Sequence, residues 1–198
     1  MIGENAMTSG DLSSSQQTLT LQEALDLGVQ HHNAGDLPKA EGIYNQILEA
    51  DPDQPVALHL LGVIAHQTGN NEKAVELITR ALKHQPDYAE AHNNLGVVLN
   101  KLEKLEEATI SYHKAIKYHP DYAEAHNNLG NVLKQCEKLD EAEIRFRRAI
   151  SIKPDYVVAH NNLGIVLKDM GKPDEAVICY QKALELKPDY ADAHYNYG

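Results

Sequence analysis

The stretch PDYAEAHNNLG at Pro86 returns letter for letter at Pro120, then as PDYVVAHNNLG at Pro154 and PDYADAHYNYG at Pro188. Pro52, Pro86, Pro120, Pro154 and Pro188 keep one interval of 34 residues, and Gly28, Gly62, Gly96, Gly130, Gly164 and Gly198 keep the same one. So do Ala40, Ala74, Ala108, Ala142 and Ala176. A unit this short cannot bury an apolar face alone, so units must stack on one another, and the period predicts an all-α solenoid of tandem repeats.

Within one unit the apolar residues fall at helical spacing in two sets, Ala91, Leu95, Val98, Leu99 and Leu102, then Ala108, Tyr112, Ala115 and Ile116. Each unit is therefore a helix-turn-helix, expected as 21–34 paired with 37–50 and onward by the period. Gly35, Gly69 and Gly171 mark the turn, where a left-handed residue ends a helix most readily. Glu103 and Glu137 stand at that position in the two middle repeats, at an expected cost of up to about 1 kcal/mol each. Pro173 suits a first helical turn. The Gly of each first helix and the Ala of each second are expected to let the two backbones approach closely. Tyr88, Tyr122, Tyr156 and Tyr190 follow the closing Pro-Asp and are read as packing residues.

Hydrophobic residues make up 42% of the chain and charged residues 24%, which is globular rather than disordered. With one Phe and no Trp, the core is expected to rest on Leu, Ile, Val and Ala. A net charge of −11 opposes a phosphate backbone, so nucleic-acid binding is not expected. No apolar run reaches membrane-span length, and no membrane association is expected. Cys136 and Cys179 have no framework spacing and read as free, buried thiols of a reducing, cytoplasmic setting. Residues 1–19 read as a flexible polar leader. Order is expected from Thr20, whose TLQE offers a capping box with Glu23.

These features resemble the tetratricopeptide repeat: the period, Leu and Gly in the first helix, Ala and an aromatic in the second, and the closing Pro. The match spans repeats 21–54, 55–88, 89–122, 123–156 and 157–190, with a partial sixth at 191–198. One departure is His92, His126, His160 and His194 where the first helix often carries a bulky aromatic. The resemblance implies a right-handed superhelix whose concave groove is lined by first helices and takes a protein or extended peptide.

The candidate groove residues follow. Asn94, Asn128, Asn162 and Asn196 share one repeat position, Asn93, Asn127 and Asn161 precede them, and Asn131, Lys134 and Lys168 lie further along. An amide both donates and accepts, so a row of them suits a peptide backbone whatever its side chains. The alternative is that the amides satisfy one another or neighbouring helix ends. Metal binding is not expected of the repeated histidines, because equivalent positions of adjacent repeats stand about 10 Å apart. His31, His32, His59 and His66 are read as packing or groove-lining residues. No cofactor loop, nucleophile elbow or metal-plus-base motif is present, so the chain is not expected to be an enzyme.

The AHNNLG form is similar to repeats ahead of the catalytic domain in protein O-linked N-acetylglucosamine transferases. That resemblance implies a substrate-holding asparagine ladder at Asn94, Asn128, Asn162 and Asn196, beginning at the third repeat because Asp26 and Leu60 hold the position earlier. A co-chaperone clamp is a poorer fit: Asn131 and Asn162 could serve it, but Asn127 and Val158 stand where basic residues are needed. A third use is self-assembly through an exposed C-terminal repeat. The pattern stops at Gly198 about half-way along a first helix, and the chain is expected to continue.

Overall fold

A computed structural model describes residues 7–8 and 18–198. Most of the expected leader, 1–19, lies outside the described residues. Of it, Met7–Thr8 (β1) pairs antiparallel with Thr18–Leu19 (β2), Met7 opposite Leu19 and Thr8 opposite Thr18. Eleven helices make up the remainder of the described structure: α1 Leu21–Asn33, α2 Leu37–Ala50, α3 Pro55–Gln67, α4 Asn71–His84, α5 Ala89–Lys101, α6 Leu105–Tyr118, α7 Ala123–Gln135, α8 Leu139–Ile152, α9 Val157–Asp169, α10 Pro173–Leu186 and α11 Ala191–Tyr197. The odd-numbered first helices and even-numbered second helices reproduce the expected pairs to within a residue at each end.

The chain divides into two compact units, Met1–Val98 and Leu99–Gly198, with α5 contributing to both. In the first unit α1 packs on α2, α2 on α3 and α3 on α4. Its core joins Leu25, Tyr44, Ile47, Leu58, Leu61 and Ile64 with the small residues Ala24, Ala40 and Ala57. In the second unit the packing continues from α6 through α11, each helix on the next. Tyr112, Leu129, Val132, Phe146, Val166 and Leu167 are each at most 1% exposed there.

Helix ends are built differently in the two units. Thr20 caps α1 with the expected capping box, the Glu23 amide donating to its hydroxyl at 3.3 Å and the Thr20 amide donating to the Glu23 carboxylate at 2.8 Å. Asp36, Gln54 and Asn70 accept from first-turn amides of α2, α3 and α4. By contrast, Lys104, Lys138 and Lys172 precede α6, α8 and α10 and supply no side-chain cap. Those helices instead open with paired acids, such as Asp140 and Glu141 in α8, which favour the positive end of the helix dipole.

Turn geometry follows the sequence reading. Gly35, Gly69 and Gly171 have φ between 74° and 85°, and Glu103 and Glu137 hold φ of 60° at the same turn position. A side chain in the left-handed region costs roughly 1 kcal/mol relative to glycine. Glu103→Gly and Glu137→Gly should therefore each raise stability by about that amount in urea unfolding, and an unchanged midpoint would show that the turn is already relaxed.

One expectation is extended and one is corrected. The first-helix glycines do more than let backbones meet: they open a notch into which a second-helix side chain fits. A Cβ on Gly164 would lie 2.5 Å from the Tyr180 ring, one on Gly130 2.7 Å from the Phe146 ring, and one on Gly62 2.5 Å from Ile78; Gly28 stands in the same relation to Tyr44. The aromatics thus enter the core through the glycines. The thiols, in turn, are not buried: Cys136 is exposed and Cys179 half-buried. Cys136 caps the C-terminus of α7, and Cys179 neighbours the exposed Ile178 on α10.

Candidate functional site

Two consecutive asparagines on one helix point about 100° apart, so they cannot share an environment. In the third, fourth and fifth repeats the first asparagine is buried: Asn93, Asn127 and Asn161 are at most 3% exposed. The second is half-buried at Asn94, Asn128 and Asn162, and so is Asn196. A buried amide is costly unless paired, and for Asn127 and Asn161 the pairing comes from the next repeat. Asn162 Nδ2 donates to Asn127 Oδ1 at 3.1 Å, and Asn196 Nδ2 donates to Asn161 Oδ1 at 3.0 Å. Each bond spans 35 residues, one period plus one position.

The first unit uses a different acceptor at the same place. His59 lies one period before Asn93 and is 4% exposed. Asn94 Nδ2 stands 2.8 Å from His59 Nε2, and His59 Nδ1 stands 3.0 Å from the Tyr88 hydroxyl. An amide nitrogen only donates, so Nε2 must accept and the ring proton sits on Nδ1, donating to Tyr88. The Tyr88 ring meets the imidazole edge-on at 4.8 Å. Burial pulls the His59 pKa down to about 4. His59 is thus a rung of the amide row; its offset from Asn93 by one period was the signal in the sequence.

An amide offers two N–H groups and an oxygen with two lone pairs. The inter-repeat bond uses one N–H of Asn162 and of Asn196 and fixes the direction of the rest of the group. On α7, Asn127, Asn131 and Lys134 fall on one face at steps of four and three. Asn131 and Lys134 are half-buried, and Lys168, seven residues beyond Asn161 on α9, is exposed. The arrangement is a row of pre-oriented amides edged by lysine ammonium groups, suited to hydrogen bonding rather than to proton or group transfer.

The repeated histidines do something else. His92, His126, His160 and His194 each place Nε2 within 2.8 to 3.0 Å of a proline carbonyl six residues earlier, Pro86, Pro120, Pro154 and Pro188. The contact ties the start of each first helix to the turn that precedes it. Sequence spacing alone did not show this bond. His32 pairs with Gln67 at 2.8 Å, and His66 with Asn71 at 2.7 Å. Among the described residues no cluster of three or more His, Cys, Asp or Glu could hold a metal ion, and no helix is long and apolar enough to cross a membrane.

Profiles described as tetratricopeptide repeat match residues 31–96 and 157–190, and one described as TPR repeat matches 98–135 and 130–171. No curated protein matches the chain by sequence. Among solved structures, MamA is 30% identical, with a TM-score of 0.73 over 84% of this chain and 97% of its own. A thermophilic TPR protein of Thermus thermophilus is 28% identical, with a TM-score of 0.70 over 89% of this chain and 96% of its own. YrrB, a TPR protein with an unusual peptide-binding site, shares the fold at 22% identity, with a TM-score of 0.71 over 87% of this chain and 89% of its own.

Proposed function

Because the chain belongs to the tetratricopeptide repeat family, we propose that it is a protein-interaction scaffold whose asparagine row holds an extended polypeptide by its backbone. The observation that carries this reading is that Asn94, Asn128, Asn162 and Asn196 stay only half-buried at one repeat position; the bonds of Asn162 to Asn127 and Asn196 to Asn161 are the amide-to-amide pairing the alternative expects, and they use one N–H of each outer amide. Those bonds aim the half-buried amides of Asn162 and Asn196, so little ordering entropy remains for these two to lose on binding. Successive first helices about 10 Å apart would meet every third residue of a strand rising about 3.3 Å per residue. Asn128 in the second unit and Asn94 in the first hold the same outer position in their repeats. Asn93, Asn127 and Asn161 act as buried supports, and Asn131, Lys134 and Lys168 border the row.

A backbone-reading site tolerates many side chains, so an unfolded, alkylated polypeptide is a suitable probe. Replacing Asn128, Asn162 and Asn196 together by Ala removes backbone pairings worth about 0.5 to 1.5 kcal/mol per hydrogen bond. Affinity should fall at least roughly tenfold while the helical spectrum stays. Unchanged binding by the folded triple variant would overturn the reading, and loss of fold would assign the amides a structural role instead.

The ladder also favours a finer form of the proposal, carried by the AHNNLG similarity: a substrate-holding arm of a protein O-linked N-acetylglucosamine transferase. Under it these 198 residues bind and do not transfer. The purified chain should show no turnover of a sugar nucleotide, and detected transfer would refute it. A cytoplasmic setting with both thiols reduced belongs to the same proposal.

A further inference from the structure

Ile110 on α6, Ile144 on α8 and Ile178 on α10 stand one period apart and are 57%, 62% and 65% exposed. Single exposed apolar residues are ordinary, but three at one repeat position form a row. Helix propensity does not call for them, since a β-branched residue at an exposed helical site is inferior to Glu, Lys or Ala. The same position in the first two repeats is Gly42 and Glu76, so the row belongs to the second unit alone.

The row has ordered margins. Around Ile144, Asp140 and Glu141 lie four and three residues before it, and Arg147 and Arg148 three and four after, all exposed and on its face of α8. The pattern recurs in α6, where Glu106 and Glu107 precede Ile110 and Lys114 follows, while burial keeps the adjoining His113 from adding charge. In α10, Asp174 and Glu175 precede Ile178 and Lys182 follows. The acids suit a helix start; the bases sit in mid-helix, where the dipole gives no reason for them. Arg148 pairs with Asp121 and Arg147 with Glu175 at about half exposure or more, where such pairs are weak and can exchange, whereas Arg147 also holds the largely buried Glu143, so Arg148 is the freer of the two.

An acidic margin, an apolar row and a basic margin make a surface complementary to itself. A two-fold axis along the row reverses the helix direction of the second copy. Acid then faces base, and each isoleucine faces its own equivalent. An axis across the row would set like charge on like. We propose that this row, with its margins, is a docking surface for a second copy of the chain, related by a two-fold axis along the row. Three isoleucines do not fill the roughly 800 Å² per partner of a standard interface, so the charged margins must take part and association should be modest.

Sedimentation equilibrium of the full chain, up to roughly 100 μM to resolve a modest affinity, tests the proposal. The wild-type chain should show a monomer–dimer equilibrium, and Ile144→Glu should weaken it at least about tenfold with an unchanged helical spectrum. A variant carrying Asp140→Lys and Glu141→Lys, and another carrying Arg147→Glu and Arg148→Glu, should each be monomeric alone and pair when mixed. A monomeric wild type, or folded charge variants that fail to pair, overturns the proposal. So does a dimer that survives Ile144→Glu, which would point to another surface such as the exposed Tyr195 and Tyr197 of the last repeat.

Discussion

Phe146→Ala should lower the stability of the second unit by about 3 to 5 kcal/mol, the usual loss for a fully buried aromatic. The ring is 0% exposed and fills the notch left by Gly130. Gly130→Ala in the wild-type background should also destabilise. Its methyl would stand 2.7 Å from a ring with nowhere to go, and overpacking of about 1 to 3 kcal/mol outweighs the roughly 1 kcal/mol gained in helix propensity. In the Phe146→Ala background the sign should reverse, because the overlap is gone and only propensity remains. Urea unfolding of the four chains measures this coupling, and additive effects would show that the glycine does not serve the ring. The single Phe stands where Tyr44 and Tyr180 stand in other repeats, and neither of those hydroxyls finds a hydrogen-bond partner. In these repeats the notch holds the ring and leaves the hydroxyl unused, and in the second repeat Ile78 fills it without a ring.

Acid should weaken the first unit through His59, by about 3 kcal/mol in total. Burial holds its folded pKa at about 4, against the ordinary 6.5. The unfolded chain therefore takes up a proton first as pH falls. The neutral ring's contribution is complete above pH 6.5, shrinks as pH drops from 6.5 toward 4, and is gone below that. Protonation would also set a donor at Nε2 against the donating amide of Asn94. His59→Asn installs the residue of the following repeats, whose oxygen accepts as Asn127 does from Asn162. His113 and His126, also depressed by burial, titrate in both chains. The measurement is the difference in urea midpoint between wild type and variant across pH 7 to 4, and parallel curves would refute the assignment.

The repeat length, the helix pairs, the Thr20 capping box and the left-handed turns at Glu103 and Glu137 were legible in the sequence, because each is a local property of a few adjacent residues or of the period. The identity of the amide row was legible too, since asparagine is out of place in a helix unless something pairs with it. The sequence did not reveal which asparagine of each pair is buried. That depends on the angle at which one repeat meets the next, as does the bond of Asn162 to Asn127.

What the sequence determined by itself was that 34-residue units must stack, since none can bury its apolar face alone. Only the tertiary structure decided what each position does in the stack. It made the glycines notches for second-helix side chains, made His59 an amide's partner, turned the four histidines toward proline carbonyls, left Cys136 in solvent and left three isoleucines outside the core. Nearly all of these depend on what lies beyond a residue's own helix, and periodicity within one helix fixes a face without saying what that face will meet.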